Sequence, residues 1–239
     1  MANPGLCDQV HASLHREILQ LVGRYGTTDG VLLDIGCWNG QRTLAYARAM
    51  QAQTAIGVEV SPEQAATAAQ VMTCHMLDIE TDPLPISDAG VDAIVCNQLM
   101  EHCKNIFLPL DEMWRVLRPG GTLIFSVPNL ASLHNRVLLA TGRQPTSIRP
   151  IGPHVRGFSH RSTCALLQLN GRFIVEDVVG VGFPPLPSRI GDRIAALLPG
   201  MSHTTVIAAR RSGAGTSIGW REAVAASSGQ TTWGGAAVT

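Results

Sequence analysis

Four short apolar runs, each closing on an acid or an amide, constrain this chain most. They are Val31–Asp34, Thr54–Val60 with Glu59 near its end, Val71–Leu77 followed by Asp78, and Val91–Cys96 followed by Asn97 and Gln98. The segments between them carry apolar residues at helical spacing. Arg42–Met50 can turn Leu44, Ala47 and Met50 to one side, and Ser61-Pro62 opens an alanine-rich stretch with a capping serine and a proline at the first helical position. Strands alternating with helices predict an α/β fold with a mostly parallel sheet covered on both faces. Ligands of such sheets bind beyond the strand C-terminal ends. The polar residues closing the four runs are therefore expected to share one crevice.

The remainder keeps the alternation. Asp8 caps an expected N-terminal helix with Val10, Leu14, Ile18, Leu21 and Val22 on one face, giving a helical segment over residues 1–29. A helix closing over Asp111–Leu117 is expected to stop at Arg118-Pro119-Gly120-Gly121, before a strand at Thr122–Val127. Helices are expected at Leu130–Leu139, Ser162–Leu169 and Ile190–Leu198, and late strands at Phe173–Val179 and Thr204–Ala209. The domain then spans 30–211, with insertions around 130–165 and 181–202 that can cover a substrate. From Ser212 onward Gly, Ser, Thr and Ala follow no period, and 212–239 is expected to be a disordered tail.

Composition removes several classes of function. Lysine plus arginine and aspartate plus glutamate each number 18, with no basic arm, so binding to nucleic acid through phosphate neutralisation is not expected. No run approaches the roughly 18 apolar residues of a transmembrane helix, and the N-terminus does not read as a secretory signal. The expected setting is the cytoplasm, with the cysteines at 7, 37, 74, 96, 103 and 164 reduced. Nothing in the sequence sets an oligomeric state.

The loop after the first strand discriminates between cofactors. Gly36 permits a sharp turn and Gly40 opens the next helix, but Trp38 and Gln41 stand where a dinucleotide fingerprint requires glycines. An indole there obstructs a pyrophosphate, and Asp34 repels one. A nicotinamide-dependent oxidoreductase is disfavoured on both counts. Glu59, 25 positions after Asp34, can accept from both hydroxyls of a ribose, and Asp78 from an adenine amine. A cation without phosphate, S-adenosylmethionine, suits this set of acids.

In order, LDIGCWNG, IGVEVSP, MLDIE, DAIVCNQLMEH and LRPGGTLIFSVPN resemble the motifs of class I S-adenosylmethionine-dependent methyltransferases over about residues 30–180. The chain is similar to the methyltransferase type 11 group, and PNLASLHNRVLLATGRQP resembles MetW-like proteins and methyltransferases of glycan or lipid biosynthesis. The resemblance implies a Rossmann-like three-layer αβα sandwich whose seven-stranded sheet has its last strand antiparallel. It also implies that Asp34, Gly36, Cys37, Trp38 and Gly40 shape the cofactor loop. Glu59, with Val60 beside it, would hold the ribose, Asp78 and Ile79 the adenine, and Asn97, Gln98 and Leu99 the methionine portion.

The expected activity is methylation of a small molecule, most plausibly on oxygen in a sugar, a lipid-linked intermediate or a natural product. The alternative is a non-catalytic, MetW-like partner of a biosynthetic enzyme. His102, just beyond the fourth strand, is the candidate general base, with His154 a second catalytic candidate. In HVRGFSHRS, His154, Arg156, His160 and Arg161 form a candidate acceptor-binding cluster. Glu101-His102 is similar to the E-x-x-E-H metal site of some ubiquinone-type O-methyltransferases. Gln98 replaces its first glutamate, so no metal is expected. Met113 and Trp114 are read as helix packing, and His11 and His15 as surface residues.

Overall fold

The computed structural model describes residues 4–213 and 219–227. The strands are β1 (Val31–Ile35), β2 (Thr54–Glu59), β3 (Thr73–Met76), β4 (Val91–Asn97), β5 (Leu117–Pro128), β6 (Phe173–Val181) and β7 (Thr204–Arg211). They form one seven-stranded sheet in the order β3-β2-β1-β4-β5-β7-β6. β1 to β5 pair in parallel, and β7 runs antiparallel to both β5 and β6. The helices are α1 (Pro4–Tyr25), α2 (Gln41–Met50), α3 (Pro62–Ala68), α4 (Phe107–Val116), α5 (Leu133–Ala140), α6 (His160–Gln168), α7 (Ser188–Leu197) and α8 (Trp220–Ser227).

Alternation along β1 explains the layers. Successive strand side chains point to opposite faces, so a strand buried on both sides reads as an unbroken apolar run. Leu33 and Ile35 join a core with Leu110, Met113, Phe125 and Phe173, whereas Leu32 joins one with Val10, Leu14, Ile18, Tyr46 and Met50. α1 thus supplies part of the second core and belongs to the sandwich. The switch in strand order falls between β1 and β4, the place such sheets reserve for a ligand.

Several elements depart from the expected boundaries for local reasons. β3 is only Thr73–Met76, because backbone turns back onto Ala68 hold Val71 and Met72. α4 starts at Phe107 and ends at Val116. Leu117 already pairs with Val91, so the chain enters β5 before Pro119-Gly120 rather than after it. α5 begins at Leu133, because the Ser132 side chain accepts from Asn135 N. Ser159 caps α6 together with Ser162, which puts His160 inside the helix.

The tail expectation needs correction where the structure describes it. Trp220–Ser227 is helical, and the Trp220 side chain is fully buried. Residues 214–218 and 228–239, the rest of the expected disordered tail, lie outside the described residues, as do residues 1–3 and the side chain of Cys7. Among the described residues no helix is long and apolar enough to cross a membrane.

Candidate active site

Backbone hydrogen bonds tie the loop after β1 to β2. Gly36 N and Cys37 N both donate to Val58 O, at 2.8 and 3.0 Å. Gly36, Trp38 and Gly40 all take left-handed backbone conformations, with φ of 80°, 52° and 80°. At Trp38 a side chain occupies a conformation that costs a non-glycine residue roughly 1–2 kcal/mol. The loop holds it there because Trp38 N donates to Glu59 Oε2 at 2.9 Å. The indole is 60% exposed. Gly36 has a second constraint, since a Cβ there would lie 3.3 Å from Leu99.

Two cavities meet at Gly36. One, of about 620 Å3, is lined by Asp34, Cys37, Trp38, Asn97 and Gln98 from the strand tips and by Arg42 and Tyr46 from α2. The other, of about 210 Å3, is lined by Glu59, Val60, Asp78, Ile79, Leu99 and His102. The strand-end residues singled out in the sequence therefore converge. Gly40 lies outside both cavities and instead opens α2 against Met72.

Charge is organised around the same loop. Asp34 is buried and accepts from Thr43 Oγ1 at 2.5 Å. Burial pushes its pKa up to about 6, against the opposing pull of the Thr43 hydrogen bond and Arg42. Glu59 spends one lone pair of each oxygen on the loop, because Oε1 accepts from Ser61 N at 2.9 Å while Oε2 holds Trp38. The Ser61 side chain makes no capping hydrogen bond to α3. Arg42, Thr43 and Tyr46 were not singled out in the sequence. Their signal was their place on the first turns of the helix after Gly40. His11 is surface-exposed as expected, yet it also lines the larger cavity.

The cover segment joins the core at Glu101. Val155 N and Arg156 N donate to Glu101 O at 2.9 and 3.2 Å. This brings the His154 ring against the His102 ring, edge to face with centroids 4.7 Å apart. His102 Nδ1 donates to Pro153 O at 3.2 Å and His154 Nδ1 to Ser147 O at 2.9 Å. Each neutral ring keeps one lone pair, on Nε2. Burial, with His154 as neighbour, lowers the pKa of His102, so the imidazole is neutral at pH 7. The Glu101 side chain is buried, and burial raises its pKa to about 7.

The expected acceptor cluster splits. His154 and Arg156 stand at this corner, Arg156 donating to Lys104 O at 2.8 Å. His160 and Arg161 instead line a separate groove with Arg136, Leu197, Leu198 and Met201. Sequence proximity misled here because α6 begins at His160 and turns those side chains away. Met113 is buried as expected, and Trp114 packs under the guanidinium groups of Arg172 and Arg211.

The pair of cavities fits an adenosylated sulfonium. It offers carboxylates in both parts and a glycine at the joint. Comparison with known proteins agrees. Residues 33–125 match the methyltransferase domain family Methyltransf_11. A probable S-adenosylmethionine-dependent methyltransferase of Mycolicibacterium smegmatis is 31% identical over 201 residues, covering 80% of this chain and 72% of the relative. A malonyl-[acyl-carrier protein] O-methyltransferase of Erwinia billingiae is 31% identical over 141 residues, 58% of this chain and 54% of its own length. An S-adenosylmethionine-dependent methyltransferase structure from Mesorhizobium loti shares the fold, with a TM-score of 0.58 and 18% identity over 84% of this chain and all of its own. The chain belongs to the S-adenosylmethionine-dependent methyltransferases.

Proposed function

We propose that the protein is a cytoplasmic O-methyltransferase of a small molecule, such as a sugar, a lipid-linked intermediate or a natural product, and does not act on nucleic acid. The observation that carries this reading is the pair of cavities joined at Gly36, with His102 lining the smaller one and Glu101 and His154 beside His102. Glu59, Val60, Asp78 and Ile79 hold the adenosine part, while Asp34, Cys37, Trp38, Asn97, Gln98 and Leu99 surround the methionine part. Bound S-adenosylmethionine supplies an electrophilic methyl group on a sulfonium whose bonding electron pair stays on sulfur after transfer. The protein must then bring an acceptor oxygen into line and relieve it of its proton. The unprotonated ring of His102 suits the second task. Arg156, which stands at that corner, suits an anionic acceptor.

Release of S-adenosylhomocysteine over a panel of hydroxylated sugars, lipid-linked intermediates and aromatic acceptors tests the reaction class. His102→Ala is expected to lower kcat by roughly 100-fold or more while leaving the cofactor dissociation constant unchanged. Turnover confined to nitrogen acceptors, or unaltered in the variant, would overturn the assignment.

Asp34 adds a pH dependence. In the free fold its proton is held more tightly than in the unfolded chain, so this group draws stability out of the fold as pH rises from about 4 to about 6. A cationic ligand favours the ionised form. With a pKa of about 6, affinity for the cofactor should rise about tenfold between pH 5 and pH 7 and then level off. Calorimetry across that range checks it, and a flat profile would remove Asp34 from the cation's surroundings.

A further inference from the structure

We propose that Glu101, His102 and His154 form a binding site for one divalent transition-metal ion, of the zinc or cobalt kind, that clasps the cover segment to the core. One carboxylate oxygen and one ring nitrogen from each histidine lie within 4.8 Å of one another. Three further observations point to a ligand there. Glu101 is 1% exposed, and its Oε2 has no hydrogen-bond partner among the described residues. A buried carboxylate oxygen left bare costs on the order of 1–3 kcal/mol, more when charged, unless something compensates it. Each histidine is oriented through Nδ1 by a backbone carbonyl, Pro153 O for His102 and Ser147 O for His154. That is the outer-shell arrangement that fixes the tautomer of metal-binding histidines.

Two imidazoles and one carboxylate make a site for zinc, cobalt or ferrous iron rather than for magnesium, which prefers oxygen ligands and retains its waters. Three protein ligands leave coordination positions open. His102 also lines the cavity of Glu59, Asp78 and Leu99, so an acceptor held at the open positions would lie beside the proposed cofactor site. An ion there would draw in an acceptor's hydroxyl oxygen and ease the loss of its proton, taking over the role otherwise given to the free His102 ring. This catalytic consequence rests on the function proposed above; the binding of metal does not. The expectation of no metal, drawn from Gln98, is replaced because the third ligand comes from the cover.

Ligands around a tetrahedral ion stand about 3.4 Å apart, so the cluster must tighten by about 1 Å. The cover can supply that movement. Ile151 is 95% exposed and Val155 48% exposed, while Val155 N and Arg156 N keep the segment anchored to Glu101 O. Metal binding should therefore order residues 141–153.

The test uses the full chain, freed of metal, and titrates it with Co(II) and then Zn(II). One equivalent of Co(II) should develop a visible absorption band that Zn(II) abolishes. Glu101→Gln and His154→Ala should each weaken binding by more than about 100-fold, whereas His75→Ala, on β3, should leave it unchanged. Trypsin cleavage at Arg143 should slow when metal is added to the wild type but not to His154→Ala. That readout also distinguishes a lost ligand from a misfolded variant. Binding no tighter than millimolar, or equally tight in His154→Ala, would overturn the proposal. S-adenosylmethionine calorimetry in the presence of a chelator reports on the methyltransferase reading separately.

Discussion

Glu59→Ala is expected to weaken S-adenosylmethionine binding by roughly 100-fold or more. Each carboxylate oxygen already accepts one backbone N–H, from Trp38 or Ser61, and keeps a second lone pair for the cavity. Two hydrogen bonds from ribose hydroxyls to a charged acceptor contribute about 1.5–3 kcal/mol each, and every 1.4 kcal/mol is tenfold in affinity. The variant also strands two loop N–H groups, and Trp38 loses the tether that keeps it at a φ of 52°. Direct and indirect losses separate in a cycle with S-adenosylhomocysteine and its 2′-deoxy counterpart. The deoxy ligand should bind the wild type less well, and the difference should vanish in Glu59→Ala. A dissociation constant within about threefold of wild type would remove Glu59 from the ribose site.

The strand tips could be read in advance because period and position carry the information together. Leu32, Leu33 and Ile35 are apolar on both faces, so the run had to be an inner parallel strand. The acid closing it then had to stand at the ligand edge. Glu59 and Asp78 followed by the same logic, and the structure gathers all three around Gly36. Trp38 was ambiguous in the sequence, because its identity does not say which way the ring turns. In the structure the backbone of Trp38 is held by Glu59 while its ring is 60% exposed.

The Glu101–His102–His154 corner was half legible. Glu101 and His102 adjoin a strand end, but their meeting with His154 depends on two backbone hydrogen bonds from an irregular segment, for which no periodicity exists. His160 lines a different groove from the His154 corner, because a helix start separates the two. The buried α8 escaped notice for a different reason. Composition averages over a window, and one tryptophan among alanines and serines barely moves it, although a single indole can dominate the packing of a short helix.

That helix carries the largest expected stability effect. Trp220 has 0% of its surface exposed, stacks on Phe173 with centroids 5.8 Å apart, and donates its indole N–H to Leu166 O at 2.9 Å. The Arg172 guanidinium lies 4.3 Å from the centre of the indole and pairs with Asp111 Oδ1 at 2.8 Å. The same oxygen accepts from Trp220 N at 3.1 Å, so Asp111 fastens the helix start as well. Truncating a buried tryptophan costs about 3–5 kcal/mol, and here it also uncovers a guanidinium that the ring shields. Trp220→Ala should therefore lower Tm by roughly 10 °C or more in thermal unfolding. Trp220→Phe keeps an aromatic ring but loses the bond to Leu166 O and part of the buried volume, and should cost less than the alanine variant, about 1–3 kcal/mol. A chain ending at Ser212 should lose at least as much stability as the alanine variant, because it also gives up the bond from Trp220 N to Asp111 and the buried Ala223. Wild-type stability in that truncated chain would mean that α8 rests on the domain without supporting it. The ordering of the three variants therefore separates a packed element from an adhering one.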